Sequence, residues 1–105
     1  MNAEQEKVKR DTFNGRDSIQ VIGSFDFSSE YFDSIVSAIL GEGKKDIVID
    51  LTRTTYLTST GIANIVKIYK KVSVLNGKLY IANATSDMIS LICLARLDRY
   101  VEFIS

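Results

Sequence analysis

Two short apolar runs constrain the fold of this chain most strongly: IVIDL at residues 47–51 and LYIAN at residues 79–83. Each run is too short for an ordinary helix and almost continuously apolar, a pattern typical of strands buried on both faces. Segments with helical periodicity precede and follow each run. Strands that alternate with helices form right-handed βαβ units, so the sequence predicts an α/β fold with a mostly parallel sheet.

The other elements can be placed around these two strands. Residues 8–13 and the alternating SIQVI run at 18–22 are separated by Asn14-Gly15, the strongest short signal for a type I′ turn, which predicts an N-terminal β-hairpin. VEFI at 101–104 makes the last strand. The prediction for the whole chain is a mixed but mostly parallel sheet with about three to four helices, and the starts of three helices can be located. They start near Ser28 or Ser29, after the LTSTG stretch at residues 57–61, and near Thr85 or Ser86.

Length and charge limit the function classes. At 105 residues and 46% hydrophobic content, the chain suits one packed domain spanning residues 1–105, with residues 1–6 expected to be flexible. Its 13 basic and 13 acidic residues are spread along the sequence, so no nucleic-acid partner is expected. The N-terminus is charged and no apolar run is long enough to span a bilayer. We therefore expect a cytoplasmic protein without membrane insertion.

Several residue types needed for catalysis are absent or badly placed. The chain has no histidine, which excludes Ser-His-Asp and Cys-His sites. Cys93 lies in an apolar run and is expected to pack in the core. The GEGKKD segment at 41–46 follows a helix rather than a strand, so it reads as a helix end and not as a phosphate loop. The sequence therefore predicts no enzyme, with no catalytic residue, cofactor or metal site.

The LTSTG stretch is the most informative candidate site. Thr58, Ser59 and Thr60 can each cap the following helix, although one cap needs only one hydroxyl. A serine at a helix N-terminus could also carry a phosphate, because the positive end of the helix dipole tolerates an anion there. Asp26 is expected at the same edge of the sheet, where ligands often bind. The alternative is that its negative charge only stabilises the N-terminus of the nearby helix. Capping and phosphorylation both remain open on these residues alone.

The combination of these pieces resembles a known family. GSFD before the first helix, IVIDL followed by the hydroxyl-rich turn and Gly61, a long second helix, and NGKLYIAN followed by a helix and a strand are together similar to a STAS domain of the anti-sigma factor antagonist family. The resemblance covers residues 7–105. It implies binding to an anti-sigma factor that is also a serine kinase. Phosphorylation by that kinase would release the antagonist, and a phosphatase would restore it.

The resemblance also assigns residues. Alignment on Gly61 makes Ser59 the phosphoacceptor. The implied partner-binding surface comprises Asp26, Phe27, Ser28, Thr58, Ser59, Thr60, Gly61, Ile62, Asn64 and Ile65, with Ile62 alternatively in the core.

One position departs from the family pattern, because Thr58 stands where the family has an aspartate before the phosphoacceptor. Two further hypotheses remain open, and the change at Thr58 makes the first of them more credible. One is a STAS subunit that braces the ATPase of an ABC-type lipid transporter without phosphorylation, and the other is a domain that senses a small ligand. The sequence also leaves open whether two copies associate as a homodimer.

Overall fold

The computed structural model describes residues 7–27 and 29–105. The expected flexibility of residues 1–6 and the roles suggested for Ser28 lie outside the described residues. The chain begins with an antiparallel hairpin of β1 (Val8–Phe13) and β2 (Arg16–Val21). Its turn residues Asn14 and Gly15 have φ angles of 51° and 81°, as a type I′ turn requires. The predicted hairpin is confirmed.

The main sheet continues from this hairpin through three parallel strands. They are β4 (Ile47–Asp50), β6 (Leu79–Ala82) and β7 (Val101–Ile104). The strand order is β1-β2-β4-β6-β7, with β2, β4, β6 and β7 mutually parallel. All residues of β4 and β6 are buried, as expected for the two central apolar runs. The predicted α/β fold with a mostly parallel sheet is therefore confirmed.

The structure also contains a second, smaller sheet, which is separate from the main one. It pairs β3 (Gly23–Phe25) with β5 (Thr54–Leu57) in parallel. The backbone amide of Gly23 also donates to the carbonyl oxygen of Arg53 at 3.0 Å. The sequence did not predict β3 or β5 as strands, because both are very short and neither has a regular apolar alternation.

Three α-helices lie within the described residues: α1 (Glu30–Gly41), α2 (Ser59–Val74) and α3 (Ser86–Leu94). A 3-10 helix at Leu97–Arg99 precedes β7. Each α-helix is capped by the hydroxyl residue before it, whose side-chain oxygen accepts a backbone N–H from the first turn. The caps are Ser29, Thr58 and Thr85.

The helices share one hydrophobic core with one face of the main sheet. Because strand side chains alternate, Ile47 and Ile49 point into this core, whereas Val48 lies in a small second cluster made of strand residues. The helical members of the main core are Phe32, Val36 and Ile39 of α1, Ile65, Ile68 and Val72 of α2, and Met88 and Ile92 of α3.

The prediction that Cys93 packs in the core is wrong. Its thiol is exposed. Helix α3 spans nine residues and buries Met88 and Ile92, which lie four positions apart on one face. Cys93 follows Ile92 by one residue, a rotation of about 100° around the helix, and so leaves the buried face. Among residues 7–27 and 29–105, no helix has the length and apolarity needed to cross a membrane.

Candidate functional site

The candidate site begins where β3 and β5 end side by side. Phe25 and Leu57, the last residues of the two strands, are paired in the small sheet. The backbone amide of Thr58 then donates to the carbonyl oxygen of Phe25 at 3.1 Å. Asp26 and Thr58 follow directly on this pair, so strand pairing brings together two segments that are more than thirty residues apart in sequence. The structure thus joins the Asp26 segment to the LTSTG turn, as expected.

The three consecutive hydroxyl residues have different roles. Thr58 is the N-cap of α2: its Oγ1 accepts the Gly61 amide at 3.4 Å and lies 3.3 Å from the Phe25 carbonyl oxygen, to which it donates. Ser59 and Thr60 are exposed. Among the described residues, neither of their side chains takes part in a hydrogen bond or ion pair. The cap therefore occupies one hydroxyl and leaves two facing solvent.

Gly61 is required by a close approach between helix and strand. A Cβ atom on this residue would lie 2.2 Å from the carbonyl oxygen of Phe25 and 2.8 Å from Cδ1 of Leu57. Both distances are shorter than real Cβ contacts, and the nearer atom belongs to the backbone. The glycine thus lets α2 start directly against the end of β3, which holds Ser59 at the surface.

The electrostatic setting of Ser59 favours an anion. Ser59 is the first residue of a 16-residue helix whose first turn contains no acidic residue. The unpaired amides and the dipole place partial positive charge there. The described acidic group that directly follows the paired strand ends, Asp26, forms an ion pair with Lys7 at 3.6 Å. Because both side chains are 40% exposed, solvent screens this pair, and it contributes little to stability.

Phe27 partly covers the core beside this turn. Its ring centroid lies 5.5 Å from that of Phe25 and 6.3 Å from that of Phe32, and Lys7 lies 5.3 Å from its centre. Phe25 is fully buried, while Phe27 is partly exposed. Of these two aromatic residues, only Phe25 therefore points fully into the core.

The expected placement of Asn64 and Ile65 on the exposed face of α2 is wrong. Both side chains are fully buried, because they share the core-facing side of the helix with Gly61 and Ile68. Asn64 is unusual there, since neither its amide nitrogen nor its amide oxygen has a hydrogen-bond partner within residues 7–27 and 29–105. Ile62 is partly buried and packs against the core, which matches the alternative considered for it.

The structure adds residues that the sequence did not indicate. Tyr56, two positions before the cap, is 52% exposed, and Ala63 is also exposed. The signal for Tyr56 was present in TTYL, where the aromatic residue precedes the buried Leu57. We use the name Ser59 surface for the exposed and partly exposed residues of this edge: Asp26, Phe27, Tyr56, Thr58, Ser59, Thr60, Ile62 and Ala63.

Comparisons with known proteins agree with this geometry. A family model for the STAS domain matches residues 13–105. No curated protein matches the chain in sequence.

Three solved structures share the fold. An anti-sigma factor antagonist from Mycobacterium paratuberculosis has a TM-score of 0.73 at 20% identity, with 91% of this chain and 82% of that chain covered. The anti-sigma factor antagonist SpoIIAA in its unphosphorylated form gives 0.68 at 12% identity, covering 93% and 87%. TM1081 of Thermotoga maritima gives 0.68 at 16% identity, covering 93% and 86%.

Proposed function

The chain belongs to the STAS domain family, and on that basis we propose that it is an anti-sigma factor antagonist controlled by phosphorylation of Ser59. In this proposal the Ser59 surface binds an anti-sigma factor that is also a serine kinase, and binding frees the sigma factor. Phosphate on Ser59 releases the antagonist, and a phosphatase restores it. The protein acts in the cytoplasm by binding rather than by catalysis, without nucleic acid or membrane insertion.

The division of roles among the three hydroxyl residues carries this proposal. Thr58 caps α2, so Ser59 is not needed for the helix start and its hydroxyl remains exposed. A phosphate on Ser59 would add about −1.5 to −2 charges at the positive end of the helix. Since the cap and the contacts of Gly61 are independent of the Ser59 hydroxyl, the fold can accept this group without rearrangement.

The same phosphate would oppose a bound partner. Burying a strongly hydrated dianion without cationic groups costs several kcal/mol. The described residues of the Ser59 surface include no lysine or arginine, and Lys7 is already paired with Asp26. Any cation that offsets the phosphate in a complex must therefore come largely from the partner. A partner that fits the unmodified serine closely would lose affinity when Ser59 is phosphorylated.

Thr58 favours a second candidate function. The cap it provides is neutral, whereas the family has a carboxylate at this position. A STAS subunit that braces a transporter ATPase would use the same surface without needing phosphorylation. In that case Ser59 would lie in a permanent contact, and partner binding would respond to the size but not to the charge of the side chain: Ser59→Gln and Ser59→Glu, which are nearly equal in size, would bind equally.

A binding experiment separates these functions. Calorimetry would measure the affinity of the unmodified chain, of Ser59→Ala and of Ser59→Glu for each histidine-kinase-like ATPase encoded in the same genome. Ser90→Glu is the matched control, since Ser90 is an exposed serine on α3. The proposal expects Ser59→Glu to bind at least about tenfold more weakly, or about 1.4 kcal/mol, with Ser59→Ala and Ser90→Glu within about twofold. Equal affinity of Ser59→Glu and unmodified protein for every kinase would contradict it.

A further inference from the structure

A groove of about 620 Å³ lies at the opposite end of the strands from Ser59. It opens between the hairpin turn and the segments that lead into β4 and β6. Its charged lining residues are Arg16, Asp17, Lys44, Lys45, Asp46 and Lys78. Four of these six side chains are basic, although basic residues are spread evenly through the sequence. The fold therefore gathers positive charge that the sequence does not cluster.

Part of this charge is neutralised inside an ion-pair network beside the groove. Arg10 donates two hydrogen bonds of 2.8 Å to the Glu42 carboxylate and one of 2.9 Å to Asp17. Lys44 lies 2.9 Å from Asp17 and 3.5 Å from Glu42. The network contains two cations and two anions, so its net charge is zero. It leaves the remaining cations of the groove unbalanced.

Three cations remain against one carboxylate. Within residues 7–27 and 29–105, Arg16, Lys45 and Lys78 form no ion pair. Asp46 is the remaining acid, and its Oδ1 accepts the backbone amide of Lys78 at 2.9 Å. The groove therefore carries two unbalanced positive charges. Because the three cations line the same groove, their positive potentials add there.

The strongest anion-binding group of the groove is already held in position. The guanidinium carbon of Arg16 lies 4.4 Å from the centre of the Tyr80 ring, and Tyr80 is buried in the sheet. A guanidinium held against an aromatic face keeps its N–H groups available for planar, two-point contact with an oxyanion. The nearby wall is also fixed, because Ile47 donates its amide to the Lys78 carbonyl oxygen at 3.1 Å. Arg16 therefore needs little ordering before an anion binds, whereas the exposed side chains of Lys45 and Lys78 become ordered on binding.

We propose that this groove binds a small phosphate-bearing anion through Arg16, Lys45 and Lys78. Arginine and lysine are the side chains that recognise phosphate, arginine by paired hydrogen bonds and lysine as a point charge. The volume lies within the range of about 300–1,000 Å³ that is usual for small-molecule sites. The groove is shallow and open to solvent, so a bound anion would be held mainly by these three side chains. This site is independent of the Ser59 surface and of the partner switch.

Calorimetry with inorganic pyrophosphate at low ionic strength tests the proposal. The unmodified chain is expected to bind saturably, and Arg16→Gln and Lys45→Gln are each expected to weaken binding by about tenfold. Lys70→Gln is the matched control, because Lys70 is an exposed lysine on α2 outside the groove. It should change the affinity by less than about twofold. Ser59→Glu should leave pyrophosphate binding intact, which separates this site from the partner switch.

Three results would overturn the proposal. Absence of saturable binding would mean that the lysines only balance the negative helix ends nearby. An equal loss in Lys70→Gln and Arg16→Gln would indicate attraction by overall charge rather than a site. Binding to anionic vesicles or to nucleic acid that Arg16→Gln and Lys45→Gln abolish, but that pyrophosphate does not displace, would assign the basic residues to a macromolecular surface. Circular dichroism of each variant checks that Arg16→Gln retains its fold, and Lys45→Gln provides a second test at an exposed position.

Discussion

Replacing Gly61 with alanine would test how tightly α2 is seated against β3. The new Cβ would lie 2.2 Å from the Phe25 carbonyl oxygen, whereas a comfortable carbon–oxygen contact is about 3.3 Å. That oxygen also accepts hydrogen bonds from the amide and the hydroxyl of Thr58, so it cannot move alone. The first turn of α2 must therefore shift by about 1 Å, which disturbs the cap.

The expected cost follows from three contributions. Overpacking costs about 1–3 kcal/mol, a weakened cap about 1 kcal/mol, and the better helix propensity of alanine returns about 1 kcal/mol. The net loss in the free energy of unfolding is therefore about 2 kcal/mol, measured by urea denaturation. Gly41→Ala is the control, because Gly41 ends α1 with negative φ and open space around its Cβ. A Gly61→Ala protein as stable as Gly41→Ala would refute this reasoning.

Substitutions at three other positions have defined outcomes. Asn64→Leu should raise the free energy of unfolding by about 1–2 kcal/mol, because it removes a buried amide whose nitrogen and oxygen have no partner among the described residues; a lower melting temperature would contradict this. Thr58→Ala should lose about 1 kcal/mol with the cap, while Thr58→Ser, which keeps both the cap and the hydroxyl that donates to Phe25, should not; equal stabilities of the two variants in urea would count against capping. The hydrogen bond from Arg10 lowers the pKa of Glu42 from 4.5 to about 2. The contribution of Glu42 to the free energy of unfolding is complete above pH 4.5 and is lost as the pH falls toward 2. Glu42→Gln should therefore reduce the slope of the free energy of unfolding against pH over that range, and an unchanged slope would refute this prediction.

Local sequence patterns were sufficient for the main elements of the fold. The apolar runs around Ile49 and Ile81, the Asn14-Gly15 turn and the hydroxyl residues before each helix all act over a few residues, so they could be read without the structure. Local patterns could not predict that β3 pairs with β5, nor which hydroxyl residue caps α2 as a result of this pairing. The Phe25 carbonyl oxygen selects Thr58 as the cap, and this contact joins positions 33 residues apart.

Periodicity also misleads where a polar residue lies on a buried face or an apolar one is exposed. The resemblance places Asn64 on the partner-binding surface, yet its side chain lies among the core residues of α2. Cys93 was assigned to the core from its apolar neighbours, although α3 turns it outward. The ion pair of Arg10 with Glu42 spans 32 residues, so the charge distribution around the groove was equally inaccessible to sequence analysis.

The central claim is that Ser59 is a phosphorylation switch at a surface that the fold leaves free. Intact-mass spectrometry of the protein purified from its own cells, with fragmentation across residues 56–67, tests it most directly. The account predicts a mass increase of one phosphate, located on Ser59 and not on Thr58 or Thr60, in growing or stressed cells. An unmodified Ser59 under both conditions would contradict it, and would leave the Ser59 surface as a permanent docking site above a helix capped by Thr58.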